Sequence, residues 1–462
     1  MATVTSEFLS GVIEGFYGPP WSQAERLELF EWMTAWKLNT YLYALKDDLK
    51  NRALWRETYS AQEAGTLAEI IRACDGKGLR FIYALSPGLD IRYHDDADLE
   101  HLRTRFAQML ELGCRNFALL FDDIPDRMSP EDKQRWGSFA SAQCHVTNAM
   151  FRWTREHCPG GRFLFCPTPY CGRMAEREFG GRDYLATVGR ELLPEIEIFW
   201  TGPEIISREI TVAHVQELQR ILCRKPLIWD NLHANDYDGR RFYCGPYAGR
   251  PLELRNEVSG LLTNPNNDFP LNYVPFRTLA TFVHCSSETG WDARKAYLTA
   301  MAEWLPNFAT AVGQPVTLDD LILFGDCYYL PYEQGPEAEA LYQRLRGMLA
   351  TDPGNWEDKA AAARNQVARL RNFCARMTEL RQRPLFYALS RLIWELREEL
   401  DLLERYLEFK SVNRDPAAAF SSDFHRPGTY RGGLVPALQR LLEQEPDGTF
   451  SPEEKHSNDR EP

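Results

Sequence analysis

From the N-terminus to about residue 285, short apolar stretches rich in β-branched and aromatic residues alternate with longer stretches whose apolar positions recur every three or four residues. A compact apolar run bounded by turn residues suits a buried strand, and the three-to-four period suits a helix with one face on a core. The alternation predicts eight strands: GVIEG (11–15), NTYLYA (39–44), LRFIYALS (79–86), FALLFD (117–122), FLFCP (163–167), IEIFW (196–200), PLIWD (226–230) and GLLTN (260–264). Helical periodicity fills the intervals at 24–35, 61–77, 99–112, 130–157, 184–193 and 212–223, weakly after Pro251, and again at 273–284. Eight β-α units in about 285 residues match a (β/α)8 TIM-like barrel. A doubly wound open sheet is the competing α/β arrangement, but its first strand–helix turn would carry a dinucleotide-type glycine loop, and the turn here reads GFYGPPW.

Beyond about Trp291 the strand signal ends. Helices are predicted at 293–305, 336–350, 356–382 and 384–409, with Leu, Ala and Phe at three- and four-residue spacing between charges, as in LSRLIWELREELDLLERYLEF. The expected organisation is a catalytic barrel over 1–285, an all-α helical bundle over 286–412 and a poorly ordered tail over 413–462, which is rich in Pro, Gly, Ser and charge. One short helix, 435–444, interrupts that tail. No internal repeat is visible beyond the β-α period.

Composition narrows the function. The 462 residues include 53 Lys and Arg against 66 Asp and Glu, a net charge of −13, so the surface repels phosphate backbones and nucleic acid is not an expected partner. No stretch reaches the roughly 20 apolar residues of a membrane span, and the opening MATVTSEFLS lacks the basic start and apolar run of a secretion signal. Eleven cysteines, an odd number without a regular framework, suit reduced thiols and a cytoplasmic location. Cys166 and Cys171 lie close together but have no partners at zinc-ligand spacing, so neither a metal nor another cofactor is expected.

In a barrel of this kind the chemistry sits where strands run into their following loops. Those junctions carry Gly15, Phe16 and Tyr17; Lys46, Asp47 and Asp48; Asp122 and Asp123; Thr168 and Tyr170; Trp200 and Thr201; Trp229, Asp230, Asn231, Asn235 and Asp236; and Asn264 and Asn266. FALLFDDIPD stands out because two adjacent carboxylates leave an apolar run that must be buried, and a buried charge needs a partner or a task. A structural reading has Asp122 pair with a buried lysine or cap a turn and leaves Asp123 in solvent. A functional reading uses the closeness of two carboxyls to keep one neutral acid beside one anion, as glycoside cleavage requires. Adjacency does not fit two carboxylates flanking a bond from opposite sides. It fits substrate assistance, in which one Asp orients the sugar's own 2-acetamido group and the other serves as acid, then base. Trp200, Trp229 and Tyr170 are expected to wall a sugar pocket, with Asn231, Asp236, Asn264 and Lys46 on the hydroxyls. WDNLHAND offers Asp230, His233 and Asp236 to a metal, but no second histidine lies near a strand end, so His233 reads as structural.

At these residues the chain resembles a known family. GVIEGFYGPPW, NTYLYALKDD, FALLFDDI, FLFCPTPYCG, FWTGPEIIS, LIWDNLHANDYD and LLTNPNNDF, in this order, are similar to family 84 of the glycoside hydrolases, over about residues 8–285 and more weakly into the helices. The resemblance implies a retaining, metal-free exo-β-N-acetylglucosaminidase that removes O-linked N-acetylglucosamine from Ser and Thr of intracellular proteins through an oxazoline intermediate. It implies that Asp122 polarises the acetamido group and that Asp123 is general acid, then base. It further implies that Gly15 and Lys46 hold sugar hydroxyls with Tyr17 beside them, that Tyr170 lines the acetamido pocket, and that Asn264 hydrogen-bonds near the acetamido carbonyl. Asn231 and Asp236 would bind the sugar, Trp229 would pack on it, and Thr201 and Ile205 would shape the wall. The helical region is similar in pattern to a stalk that pairs two chains and contacts peptide in animal members, whose acetyltransferase-like domain is not expected here. Two other readings stay open: a hexosaminidase or hyaluronidase-like enzyme acting on another N-acetylglucosamine-containing glycan, and a binding protein that recognises the sugar without cleaving it.

Overall fold

The computed structural model describes residues 7–286, 290–413, 418–422 and 433–452. Strands β1 (Leu9–Glu14), β2 (Thr40–Tyr43), β3 (Arg80–Leu85), β4 (Asn116–Leu120), β5 (Phe163–Cys166), β6 (Glu197–Trp200), β7 (Leu227–Asp230) and β8 (Gly260–Thr263) close into a parallel barrel in sequence order. Closure is made where Leu9 of β1 aligns with Gly260 of β8. Every strand residue is buried except the first of β3, β4 and β6, so the strands read as continuous apolar runs, as parallel strands covered on both faces must.

Helices α1 (Gln23–Ala35), α2 (Ala61–Gly76), α3 (Asp96–Glu111), α4 (Pro130–Trp136), α5 (Phe139–His157), α6 (Gly172–Glu176), α7 (Tyr184–Glu191), α8 (Val212–Leu222) and α9 (Tyr273–His284) follow the strands. Ser22 and Ser60 start α1 and α2 with capping boxes to Glu25 and Glu63, which satisfies backbone donors that a helix cannot pair internally. The single helix expected over 130–157 is two, because Gly137 turns into a left-handed conformation (φ 73°) and Ser138 caps a new start. The weak pattern after Pro251 is a 3-10 turn, Leu252–Asn256.

The barrel interior is one packed cluster: Leu9 and Ile13 from β1, Leu42 and Ala44, Ile82 and Ala84, Ala118 and Leu120, Leu164 and Cys166, Phe199, Leu227 and Trp229, and Leu262. Successive inward positions differ by two, the strand period.

The chain divides into two compact units, the first comprising Met1–Tyr237, Tyr247–Phe269 and Pro275–Ala293, the second Asp238–Pro246, Pro270–Val274 and Arg294–Pro462. The second unit therefore takes two short segments from inside the region read as barrel. It is built on α10 (Ala293–Trp304), α11 (Leu318–Asp326), α12 (Pro336–Leu349), α13 (Glu357–Met377) and α14 (Arg383–Val412), around a core that includes Trp304, Phe324, Tyr328, Leu341, Phe373 and Leu400. Within the stretch read as a tail, the described residues form β9 (Phe420–Ser421), α15 (Val435–Gln439), β10 (Leu442–Gln444) and β11 (Thr449–Pro452), with strand order β10-β11-β9. Leu438, Leu442 and Phe450 bury into the same core, which is what orders this stretch. Residues 414–417, 423–432 and 453–462 of that stretch lie outside the described residues. Among the described residues no helix is long and apolar enough to cross a membrane.

Candidate active site

The inward-facing series of the strands continues past their ends and becomes polar. Ile13 is followed two residues on by Gly15, Ala44 by Lys46, Leu120 by Asp122, Phe199 by Thr201, Trp229 by Asn231 and Leu262 by Asn264. Backbone pairing carries this geometry beyond the strands proper: Ala44 N donates to Glu14 O (3.1 Å), Phe121 N to Cys166 O (3.0 Å) and Asn264 N to Asp230 O (2.8 Å). The polar layer thus stands on the apolar interior at the C-terminal mouth of the barrel, held by the hydrogen-bonded strand ends.

Asp122 and Lys46 form an ion pair in this layer, with side chains 8% and 3% exposed. Lys46 contacts Asp122 Oδ2, while Asp122 Oδ1 is buried without a protein partner. Burial alone would lower the Lys46 pKa; the negative charges beside it, Asp122 first and Asp123 next, outweigh burial and leave it raised. The ammonium also stands 5.8 Å from the ring centroids of both Tyr17 and Trp229.

Asp123 occupies the left-handed backbone region (φ 52°), which turns it out of the strand alternation, and its side chain is exposed. Tyr170 Oη donates to its Oδ1 (2.8 Å) and Tyr17 Oη to its Oδ2 (3.0 Å). Burial first, and the Asp123 charge second, hold the Tyr170 hydroxyl far above its ordinary range, so it stays protonated as a donor; burial likewise raises Tyr17. Arg52, which sequence reasoning missed, donates through Nη1 to Tyr17 Oη and through Nη2 to the Asp123 carbonyl, each at 2.6 Å. It sits in a charged loop, DDLKNR, where nothing in the pattern separates it from a solvated side chain.

On the opposite side, Trp229 Nε1 donates to Asn231 Oδ1 (3.0 Å), Asn264 Nδ2 donates to the same oxygen (3.1 Å), and Asn231 Nδ2 donates to Ile205 O (2.8 Å). Asn264 Oδ1 is buried without a protein partner. As placed, that free atom accepts from a hydroxyl or N–H, whereas the contact with an acetamido carbonyl expected for Asn264 needs a donor. Thr201 is buried with its hydroxyl donating to Glu204 O (2.8 Å), so its proton is committed within the fold. Asp236 accepts from Tyr17 N (2.9 Å), and burial raises its carboxyl despite that bond. Gly15 has no room for a side chain: a Cβ there would stand 2.6 Å from the Trp229 ring.

One expectation is corrected, and two strand-end carboxylates have partners within the fold. Trp200, placed by sequence in the pocket wall, is 1% exposed and donates to His214 Nε2 of α8 (2.9 Å), facing away from the barrel interior because it falls between the inward positions 199 and 201. Asp48 accepts from Tyr59 Oη (2.8 Å) and Lys50 N (2.9 Å), a structural role. Asp230 is bound by Arg250 through Nε (2.7 Å) and Nη2 (2.8 Å) and by Tyr247 Oη (2.8 Å), which commits it to a buried ion pair. Among the described residues no three His, Cys, Asp or Glu side chains are grouped to hold a metal ion.

A parallel barrel with adjacent carboxylates, tyrosines, a tryptophan and amides at its mouth places the chain among (β/α)8 proteins whose polar site stands at the C-terminal ends of the strands. A family model described as beta-N-acetylglucosaminidase (NAGidase) matches residues 10–314, more than half of the chain, and the chain belongs to that family. It is 49% identical over 275 residues to proteins named "Protein O-GlcNAcase" from Rattus norvegicus and from Mus musculus; the match covers 60% of this chain and 30% of each relative. The match thus spans about 30% of the length of these curated relatives. A solved structure of an O-GlcNAc hydrolase mutant from Thermobaculum terrenum superposes with a TM-score of 0.76 at 28% identity, covering 87% of this chain and 84% of that one.

Proposed function

We propose that this protein is a retaining exo-β-N-acetylglucosaminidase that removes O-linked N-acetylglucosamine from Ser and Thr of cytoplasmic proteins by substrate-assisted catalysis. The observation that carries the reading is the buried Asp122 carboxylate: one oxygen is taken by Lys46, the other is unpartnered, and Asp123 stands beside it on two tyrosine hydroxyls. An acetamido N–H is the donor that a lone buried carboxylate oxygen lacks, and an unpaired buried acceptor is costly until it finds one. In this mechanism the Asp122 carboxylate holds the acetamido group so that its carbonyl oxygen attacks the anomeric carbon. As that C–O bond forms, the glycosidic bond breaks; its electron pair stays on the leaving oxygen, which takes a proton from Asp123. The positive charge on the resulting oxazoline ring faces the Asp122 anion. Water then adds to the anomeric carbon, giving its proton to Asp123, and the ring opens to restore the acetamido group.

The protein substrate is supported by the names of the rat and mouse relatives, and a reducing compartment by eleven free thiols. Pairing of two chains through the helices belongs to the same reading: Tyr387 and Trp394, two turns apart on α14, are 63% and 62% exposed, and sedimentation of the full chain tests it.

The test is hydrolysis of an aryl β-N-acetylglucosaminide beside that of an O-GlcNAc-modified protein, with wild type and Asp123→Asn. Activity on both that is lost in the variant supports the proposal. Activity on the aryl substrate alone keeps the chemistry and moves the substrate to another glycan, and inactivity on both refutes the enzyme in favour of a sugar-binding protein.

A further inference from the structure

The loop after β2 is anchored before it reaches the active site. Asn51 Nδ2 donates to Ala84 O (2.7 Å) and Ser86 N donates to Asn51 O (2.9 Å), so residue 51 is fixed at both ends to the top of β3. The next residue, Arg52, is 8% exposed, and its guanidinium reaches Asp123 and Tyr17. There it makes three contacts at once: the 2.6 Å bond to the Asp123 carbonyl, the 2.6 Å bond to Tyr17 Oη, and a position 5.5 Å from the Tyr17 ring centroid. Tyr17 Oη, as acceptor from Arg52, has its own proton directed to Asp123 Oδ2. One planar fork therefore holds both the backbone of Asp123, at its left-handed φ of 52°, and the hydroxyl that orients its carboxyl group.

We propose that Arg52 is the positioning residue for the acid-base Asp123, fixing its carboxyl where the leaving oxygen of the substrate arrives. The inference rests on the assignment of Asp123 made above. Arg52 touches no reacting atom; it acts through the Asp123 carbonyl and the Tyr17 hydroxyl. An acid that is correctly made but misplaced fails most where acid help is most needed. Loss of Arg52 is therefore graded by leaving group, whereas loss of folded protein or of sugar binding is not.

The experiment measures kcat/KM, which reports the steps through cleavage of the glycosidic bond, for phenyl and 2,4-dinitrophenyl β-N-acetylglucosaminides. Wild type, Arg52→Met, Arg52→Lys and Asp123→Asn are compared, each with a thermal melt. The phenolate leaves poorly and needs a proton; the dinitrophenolate leaves without one. General acid catalysis contributes roughly 10²–10⁴-fold, so Arg52→Met is expected to lose about 30-fold or more on the phenyl substrate and less than about threefold on the dinitrophenyl one. Arg52→Lys, which keeps the charge and loses the fork, is expected to fall between wild type and Arg52→Met, and it carries the test if the methionine variant does not fold. Equal losses on both substrates, or none on either, overturn the proposal. If Asp123→Asn shows the graded loss and the Arg52 variants do not, Arg52 alone is misassigned. If Asp123→Asn shows no gradation, or wild type cleaves neither substrate, the acid assignment fails and this inference with it.

Discussion

Replacing Lys46 by methionine removes the cation paired with Asp122 and leaves the rest of the barrel mouth in place. Both side chains are under 10% exposed, so water does not take over the lost contact. Breaking a buried pair by removing one partner costs about 3–5 kcal/mol, because the surviving charge is left in a poorly polarisable surrounding. The protein has two ways to bear this. Asp122 stays ionised and the fold loses stability, or it takes a proton and the anion that should face the acetamido N–H and the oxazoline charge is gone. If the whole cost falls on the transition state, at about 1.4 kcal/mol per decade, kcat/KM drops by roughly 10²–10⁴-fold. The assay is hydrolysis of an aryl β-N-acetylglucosaminide by Lys46→Met, Asp122→Asn and the double variant, with chemical denaturation of each. Because the pair acts as a unit, the double variant should be about as slow as Asp122→Asn alone, and more stable than either single variant, since no charge is stranded. Activity of Lys46→Met within about threefold of wild type together with unchanged stability, or losses that multiply in the double variant, would show that Lys46 and Asp122 do not act as a pair.

Three further outcomes follow from the same geometry. Gly15→Ala forces a methyl against the Trp229 ring at 2.6 Å; overpacking of about 1–3 kcal/mol should lower kcat/KM roughly 5- to 150-fold with little change in far-ultraviolet circular dichroism, and an unchanged rate would show that the two need not stay apart. Burial, then repulsion from Glu395 and Glu398, pushes the Glu399 carboxyl on α14 up to about 7, against a bond from Gln439. The folded state keeps a proton that the unfolded chain releases above about 4.5, so stability falls as pH rises from there to about 7, by up to about 3 kcal/mol; Glu399→Gln should remove that slope in urea unfolding. His214 is held below its ordinary value of 6.5 by burial, against the pull of Glu217 and Glu176, and accepts from Trp200. The unfolded chain then binds the extra proton first, so stability is lost as pH falls below about 6.5, and His214→Gln should flatten the acid side of the urea midpoint between pH 7.5 and 5.

Much of the site could be read before the structure because the barrel gives the sequence a strict rule. A strand of period two that ends in Leu120 must send Asp122 inward if pairing continues for one more residue, and Phe121 does pair with Cys166. The same rule brings Gly15, Lys46, Thr201, Asn231 and Asn264 to one layer, and it shows why Trp200 was misplaced, since an odd inward series cannot include an even position. The rule stops at the loops. Arg52 reaches Asp123 across 71 residues, and the residue types of a charged loop carry no trace of that contact. Helix α11 escaped notice because Leu318, Leu321, Ile322, Leu323 and Phe324 are too dense to show a helical stripe; all but Leu318 and Ile322 are fully buried, so no polar face marks the period. The ordering of the last stretch rests on Leu438, Leu442 and Phe450 in the helical core, three apolar residues in a polar context whose long-range partners composition does not reveal.

In the proposed mechanism the substrate's own acetamido oxygen attacks, with Asp122 holding the group in place. Successive fluorination of the N-acetyl methyl weakens that oxygen as a nucleophile without changing the leaving group or the sugar hydroxyls. The measurement is kcat/KM for 4-methylumbelliferyl glucosaminides carrying acetyl, fluoroacetyl, difluoroacetyl and trifluoroacetyl groups. A steep, regular fall along the series, much shallower in Asp122→Asn, is expected; rates independent of fluorination, or a matching rate on the plain glucoside, would show that the acetamido oxygen is not the nucleophile.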